Sequence, residues 1–350
     1  GDGESTAPRF AAFADTTGLT VATNSATGLS LTSYNSNRFV TYGIKANSSA
    51  KVMNSVTHGW DAGIYAGTST LVAGNVSNGL PGARTNSIAG SYDDTGGLAY
   101  TSYKGSMGFM AAGPSALITN NVSGAFICAG AKNGGQHNWY FKDNVCEYNA
   151  GPKIMVTGSG VEIETNRLAW STHDTIIALG DVRGRCSAST RSGLLCLRNM
   201  GTDTTYGCPG STCAYSSDFK WGDASLQIDH VNIVGNFIHS DQTNVDYIGS
   251  APGKRCQTGS DIGKECSSTA DCNGSAACEF PYVAALNIVG NNMYGATTGD
   301  TAIDFSAITA VRSSGTTTPI INANIAANRI HSFPTGVAFA SATGLASNVN

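Results

Sequence analysis

Charged side chains are scarce in this sequence: Asp, Glu, Lys and Arg make up 13% of 350 residues, 24 acidic against 20 basic. With a net charge of −4 and no basic run, the chain lacks the electrostatic footprint of a nucleic-acid binder, so no nucleic-acid partner is expected. No apolar stretch reaches the roughly 18 residues that cross a bilayer as a helix, and no membrane span is expected. Apolar residues also never keep a helical spacing over several turns, which excludes a helix-rich fold. Acidic side chains seldom adjoin; Asp93-Asp94 is the one acidic doublet, and its Gly-rich setting reads as a turn.

What the chain does have is repetition. Val231-Asn-Ile-Val-Gly-Asn236-Phe-Ile-His239 and Leu286-Asn-Ile-Val-Gly-Asn291-Asn-Met-Tyr294 are nearly the same sentence, and looser copies occur at Val161 to Ala169 and Ala323 to His331. An Asn-apolar step starts at Asn75 and returns at Asn121, Asn144 and Asn166, with Gly97-Leu98 filling the gap after Asn75; the spacings are 22, 24, 23 and 22 residues. That period fits one coil of a parallel β-helix, three short strands and three turns, and predicts about fourteen or fifteen coils. A single coil cannot bury its apolar face, so neighbours must stack. Asn at one repeated turn position predicts a side-chain amide ladder through Asn75, Asn121, Asn144, Asn166, Asn236, Asn291 and Asn328. The regular solenoid is expected over residues 71–350, with residues 1–70 forming an N-terminal cap or irregular first coils.

Ten cysteines, an even number, set the redox environment. Eight fall in two clusters, Cys186, Cys196, Cys208 and Cys213, then Cys256, Cys266, Cys272 and Cys278, each opened by an arginine and each ahead of an Asn-Ile-Val-Gly-Asn coil. We read them as two loop insertions, at 185–215 and 254–280, stapled by internal disulfides because loops this polar have no core. Each cluster admits three pairings. No Cys-x2-Cys pair or nearby histidine spacing points to zinc, and no metal is assigned. Cys128 and Cys146, about one coil apart, are read as a bridge or as buried thiols. The disulfides predict an extracellular or cell-surface protein, and a chain opening on Gly1 fits a removed signal peptide. Four sequons offer glycosylation sites, at Asn47, Asn75, Asn121 and Asn273; any that face inward are closed to modification.

The Asn-punctuated coils resemble right-handed parallel β-helix repeats, shared by pectate-lyase-like enzymes, phage tailspikes and bacterial surface adhesins, over residues from about 70 to 340. Ile228-Asp229-His230 looks like part of the tryptophan-isoleucine-aspartate-histidine signature of pectate lyases, with Gln227 in the tryptophan place. Gly1-Asp2-Gly3 is similar to the opening of β-helix depolymerases, without its acidic-threonine continuation. The resemblance implies an all-β solenoid and leaves the activity open.

Catalysis on such a scaffold needs stacked acid and base groups. A lyase needs a base with Ca²⁺ or arginine against the uronate, and a hydrolase needs two carboxylates roughly 5–10 Å apart. The candidates are Asp229 and His230, then His173, Asp174, Asp181 and Arg183; turn roles are the plainer reading of each. His239, Tyr294 and His331 share one repeat position, which reads as a lining aromatic rather than a metal ligand. Trp60, Tyr65, Tyr92, Tyr100, Tyr103 and Trp139-Tyr140-Phe141 offer ring faces to a carbohydrate partner, or fill the interior. The resulting expectation is a secreted, non-catalytic structural or adhesive solenoid that self-associates through its ends, without a cofactor. The alternative is a secreted polysaccharide lyase or hydrolase, using Ca²⁺ in the lyase case.

Overall fold

The computed structural model describes residues 10–14, 20–22, 25–27, 42–58, 62–78, 107–124, 127–131, 137–147, 152–169, 175–180, 183–186, 195–197, 213–214, 227–240, 245–250, 255–256, 266, 268–272, 278–279, 282–295, 299–305 and 322–339. Three all-parallel sheets run side by side, and the chain visits them in turn, so every circuit is one coil of a β-solenoid. Sheet A has ten strands: Phe10–Ala14, Tyr42–Ser48, Ala62–Thr68, Met107–Ala111, Ile127–Ala131, Ile154–Val156, Thr175–Leu179, Asp246–Ser250, Thr301–Phe305 and Thr335–Phe339. Sheet B has nine: Thr20–Ala22, Lys51–Met53, Leu71–Ala73, Leu117–Thr119, Tyr140–Lys142, Glu162–Glu164, Gln227–Val234, Tyr282–Val289 and Asn324–Ala326. Sheet C also has nine: Ser25–Thr27, Val56–His58, Val76–Asn78, Val122–Gly124, Val145–Glu147, Arg167–Ala169, Phe237–His239, Asn292–Tyr294 and Arg329–His331.

The three-residue strands of sheets B and C obey the two-residue side-chain alternation of a strand. Their middle residues point inward and form columns along the axis. In sheet B the column is Val52, Val72, Ile118, Phe141, Ile163, Ile233 and Ile288, all 0% exposed. In sheet C it changes character, from Thr57, Ser77 and Ser123 through Cys146 to Leu168, Ile238 and Met293. Sheet A answers that change. Its glycines Gly63 and Gly108 sit where an added Cβ would fall 1.9 Å from Ser77 Oγ and 2.4 Å from Ser123 Oγ respectively. One coil on, their register neighbour is Cys128, which bonds covalently to Cys146 across the interior. The contact between sheets A and C thus passes from glycine–serine packing to a disulfide.

The corners are equally regular. Between sheets A and B every described bend has a residue in the left-handed region, Ser49, Ser69, Ser115, Asn138, Gly160, His230, Ala285 and Asn322, with φ from 47° to 67°, and the bend at Gly160 also has Gly158 at 91°. Between sheets B and C the same holds for Asn54, Gly74, Asn120, Asp143, Thr165, Gly235, Gly290 and Ala327, with φ from 49° to 68°. Such a residue reverses the chain in one step; glycine and asparagine adopt it cheaply and other residues at a cost of roughly 1–2 kcal/mol.

Directly after the second bend comes the ladder. Asn75, Asn121, Asn144, Asn166, Asn236 and Asn291 are at most 1% exposed. Each uses its Nδ2 twice, donating to a backbone carbonyl of the preceding coil and to Oδ1 of the next asparagine, at 2.8–3.1 Å. Each backbone N–H also donates to that next Oδ1, at 2.9 Å. Ser55 opens the run, its N–H donating to Asn75 Oδ1.

Two expectations are corrected. Asn75 bonds directly to Asn121, and Val76–Asn78 pairs with Val122–Gly124, so no rung or sheet-C strand stands between them at Gly97-Leu98, which lies outside the described residues. Among the described residues sheet A holds ten strands, against the expected fourteen or fifteen coils. Strands of all three sheets are present from Phe10 onward.

Candidate functional site

In the second cysteine loop a short antiparallel pair, Arg255–Cys256 with Cys278–Glu279, sets Cys256 opposite Cys278. The disulfides nevertheless run Cys256–Cys272 and Cys266–Cys278. The sulfurs of Cys256, Cys266 and Cys272 lie within 4.8 Å of one another, close enough for a metal cluster, but all three are consumed in these bonds. In the first loop the backbone pairs Cys186 with Cys213, and Cys208 lies outside the described residues. The disulfides place the protein in an oxidising environment. Among the described residues no helix is long and apolar enough to cross a membrane.

Asp229 and His230 sit side by side at a corner. His230 occupies the left-handed bend position with φ 50°, its side chain 76% exposed, while Asp229 is 17% exposed with Oδ1 3.5 Å from His230 Nδ1. Neighbouring coils fill the bend with Gly160 and Ala285, so the corner is a backbone feature that does not depend on an imidazole. His173, Asp174 and Asp181 lie outside the described residues. Arg183 begins a small antiparallel sheet of the first cysteine loop, opposite Leu197.

Among the aromatic candidates, Trp139 and Phe141 are 0% exposed and belong to the core, which is the interior alternative of the two readings given for them. Tyr65 is 9% exposed; burial raises its phenol pKa, opposed in part by Lys45. Trp60, Tyr92, Tyr100 and Tyr103 fall outside the described residues. Two sequons are corrected as well: Asn75 and Asn121 are ladder residues, 1% exposed with Nδ2 fully engaged, and are closed to a glycan in the folded chain. Asn47 is half-buried, and Asn273 lies outside the described residues.

Sequence reasoning passed over a pair of carboxylates on the outward side of a single strand, Glu162 and Glu164. Lys142 on the preceding coil bridges them at 2.8 and 2.9 Å. Its hydrogen bonds to Glu162 and then Glu164 raise the lysine pKa. The alternation Glu-x-Glu beside Lys was visible in the sequence, but only the register shows that one ammonium serves both acids. This arrangement holds the two carboxylates around one ammonium as an ion-paired surface group that keeps a net negative charge.

Lys153 is the one buried cation among the described residues. It is 0% exposed and, by the register of Ala129 with Ile154, lies beside Cys128. Burial pushes its pKa well below the ordinary lysine value, with Glu147 acting in the opposite direction.

The last coil differs from those before it. Ile325 and Ile330 continue columns that are fully buried upstream yet are only partly buried, as is Phe333, and Val337 is 37% exposed. The ladder is polar, each asparagine giving its backbone N–H and one Nδ2 hydrogen to the Oδ1 of the next coil. Asn328 accepts from Asn291 and donates back to Ile288 O, with no onward Oδ1 among the described residues.

These features define a parallel β-solenoid with three sheets, an internal asparagine ladder and disulfide-stapled loops. No family model, curated protein or solved structure matches the chain.

Proposed function

We propose that the protein is an exported, non-catalytic structural or adhesive solenoid whose subunits stack end to end at the cell surface or outside the cell. The observation that carries this reading is the last described coil: three parallel strands with no further partner strand among the described residues, a partly uncovered apolar column, and Asn328, which has no onward Oδ1 among the described residues. The first coil supplies a matching set of three parallel strands at the other end of the same three sheets. A head-to-tail contact between unlike ends whose rotation does not close a ring repeats without limit, and coaxial stacking of this kind gives a filament. The ion-paired Glu162–Lys142–Glu164 group and the corner position of His230 support a structural role over polysaccharide cleavage.

Sedimentation of the purified chain over a range of concentrations tests the reading, with Val337→Lys as the comparison. Wild type is expected to form concentration-dependent polymers and Val337→Lys to remain monomeric, because the ammonium would have to be buried in the contact. Wild-type monomers at every concentration would overturn it.

A further inference from the structure

The outward columns of sheet C change character halfway along the solenoid. The first column reads Val56, Val76, Val122 and Val145 and then, in continuous register, Arg167, Phe237, Asn292 and Arg329. Beside it, the second column carries His239, Tyr294 and His331 over the same coils. The Arg167 guanidinium lies over the Phe237 ring at 5.2 Å, and Phe237 meets Tyr294 at 5.7 Å. Tyr294 stacks on His331 at 4.7 Å and 7°. His239 Nδ1 lies 3.1 Å from Tyr294 O. Arg167, Tyr294, Arg329 and His331 are all exposed. Glu147, paired with Arg167 Nε at 2.7 Å, is the only carboxylate on these two columns among the described side chains.

We infer that this strip is a binding site for an acidic polysaccharide, one bearing carboxylate or sulfate groups, laid along the solenoid axis. Charge is the first argument. On a chain of net charge −4 the strip sets two arginines, one of them paired with Glu147, beside two imidazole rings that can donate hydrogen bonds, and an anionic ligand is its complement. Geometry is the second. Strands spaced about 4.8 Å apart present one outward row per coil, a repeating frame for a repeating polymer, and Arg167 and Arg329 stand three rows apart. Ring orientation excludes the main rival. Bases of single-stranded nucleic acid bind by stacking on open aromatic faces. Here Phe237 faces Arg167 and meets Tyr294, and Tyr294 stacks on His331, so these contacts are made within the strip, and the exposed Arg329 guanidinium is the group offered to the ligand. Recognition therefore runs through charge-assisted hydrogen bonds to anionic groups. A monomer carries the same strip, so binding and end-to-end assembly can fail independently.

The test is a binding titration of the purified chain with polygalacturonate, dextran sulfate, unmodified dextran and oligothymidylate, at about 50 and about 500 mM salt. Wild type is expected to bind at least one acidic polysaccharide at low salt, weakly or not at all at high salt, and to ignore dextran. The Arg167→Ala/Arg329→Ala double variant should lose about tenfold or more in affinity, the effect of one or two charged contacts. Arg329→Ala alone, at an exposed position, covers the case in which the double variant does not fold. Absence of binding to both acidic polymers, unchanged affinity in the variants, or equally tight binding of oligothymidylate would each overturn the inference. Binding of polygalacturonate alone or of dextran sulfate alone supports it and identifies the anionic group.

Discussion

Replacing Asn144 by alanine removes the middle rung of the ladder and the four hydrogen bonds its side chain makes. Oδ1 accepts from Asn121 N and Asn121 Nδ2, at 2.9 and 3.0 Å, while Nδ2 donates to Ile118 O and Asn166 Oδ1, at 2.9 and 3.1 Å. Asn144 is 1% exposed, so no solvent stands ready to replace these partners. At a net worth of about 0.5–1.5 kcal/mol per bond, the loss is about 4 kcal/mol, raised by stranded donors and lowered by any water that enters. Asn324→Ala is the control: it removes one exposed amide contact with Asn287 and should cost under about 1 kcal/mol. Urea unfolding followed by far-ultraviolet circular dichroism measures both. Because stacked coils need not unfold in one step, hydrogen exchange at the Asn121 amide, which donates to Asn144 Oδ1, localises the effect. A loss below about 1 kcal/mol for Asn144→Ala, with Asn121 exchange unchanged, would refute the ladder as a source of stability.

Three further outcomes are expected. Lys153→Met should stabilise the protein by roughly 1–4 kcal/mol, as replacing buried charge with packed apolar volume often does. Its wild-type pKa is depressed, so between that value and 10.5 the unfolded chain holds a proton the folded chain lacks, and this contribution to stability is lost as pH falls through the window. Thermal unfolding of both proteins from neutral to alkaline pH should show the gap narrowing as pH rises; a constant gap contradicts this account. His230→Gly should raise stability by roughly 1 kcal/mol by relieving a left-handed residue, and a destabilised variant in the same unfolding assay would show that the imidazole supports the corner. Mild reduction should loosen the Cys256–Cys272 and Cys266–Cys278 loop while the coils persist, because the buried ladder and core columns lie elsewhere; complete loss of the β-sheet dichroism signal would contradict that.

The solenoid was legible because one side chain is chemically irreplaceable at its turn. Each rung must accept twice and donate twice from one short side chain, which asparagine does, so Asn75, Asn121, Asn144, Asn166, Asn236 and Asn291 recur and expose the period. Where that constraint relaxes, the sequence goes silent: Ser55 takes the rung ahead of Asn75, and the early coils show no period. The constraint can also mislead, since Gly97-Leu98 falls at the right distance by composition alone. The Cys128–Cys146 bridge was half legible, because its spacing suggested proximity but the glycine columns that bring sheets A and C together appear only in register. The sheet-C strip was least visible. Outward positions carry no packing constraint, and residues as distant as Arg167, Phe237 and Arg329 become neighbours only once the loops between them are excluded.

Electron microscopy of the purified chain tests the central claim most directly. The ten described sheet-A strands at about 4.8 Å each predict regular filaments with an axial repeat of at least about 48 Å. Dispersed particles, or closed rings of a few subunits, would contradict end-to-end assembly.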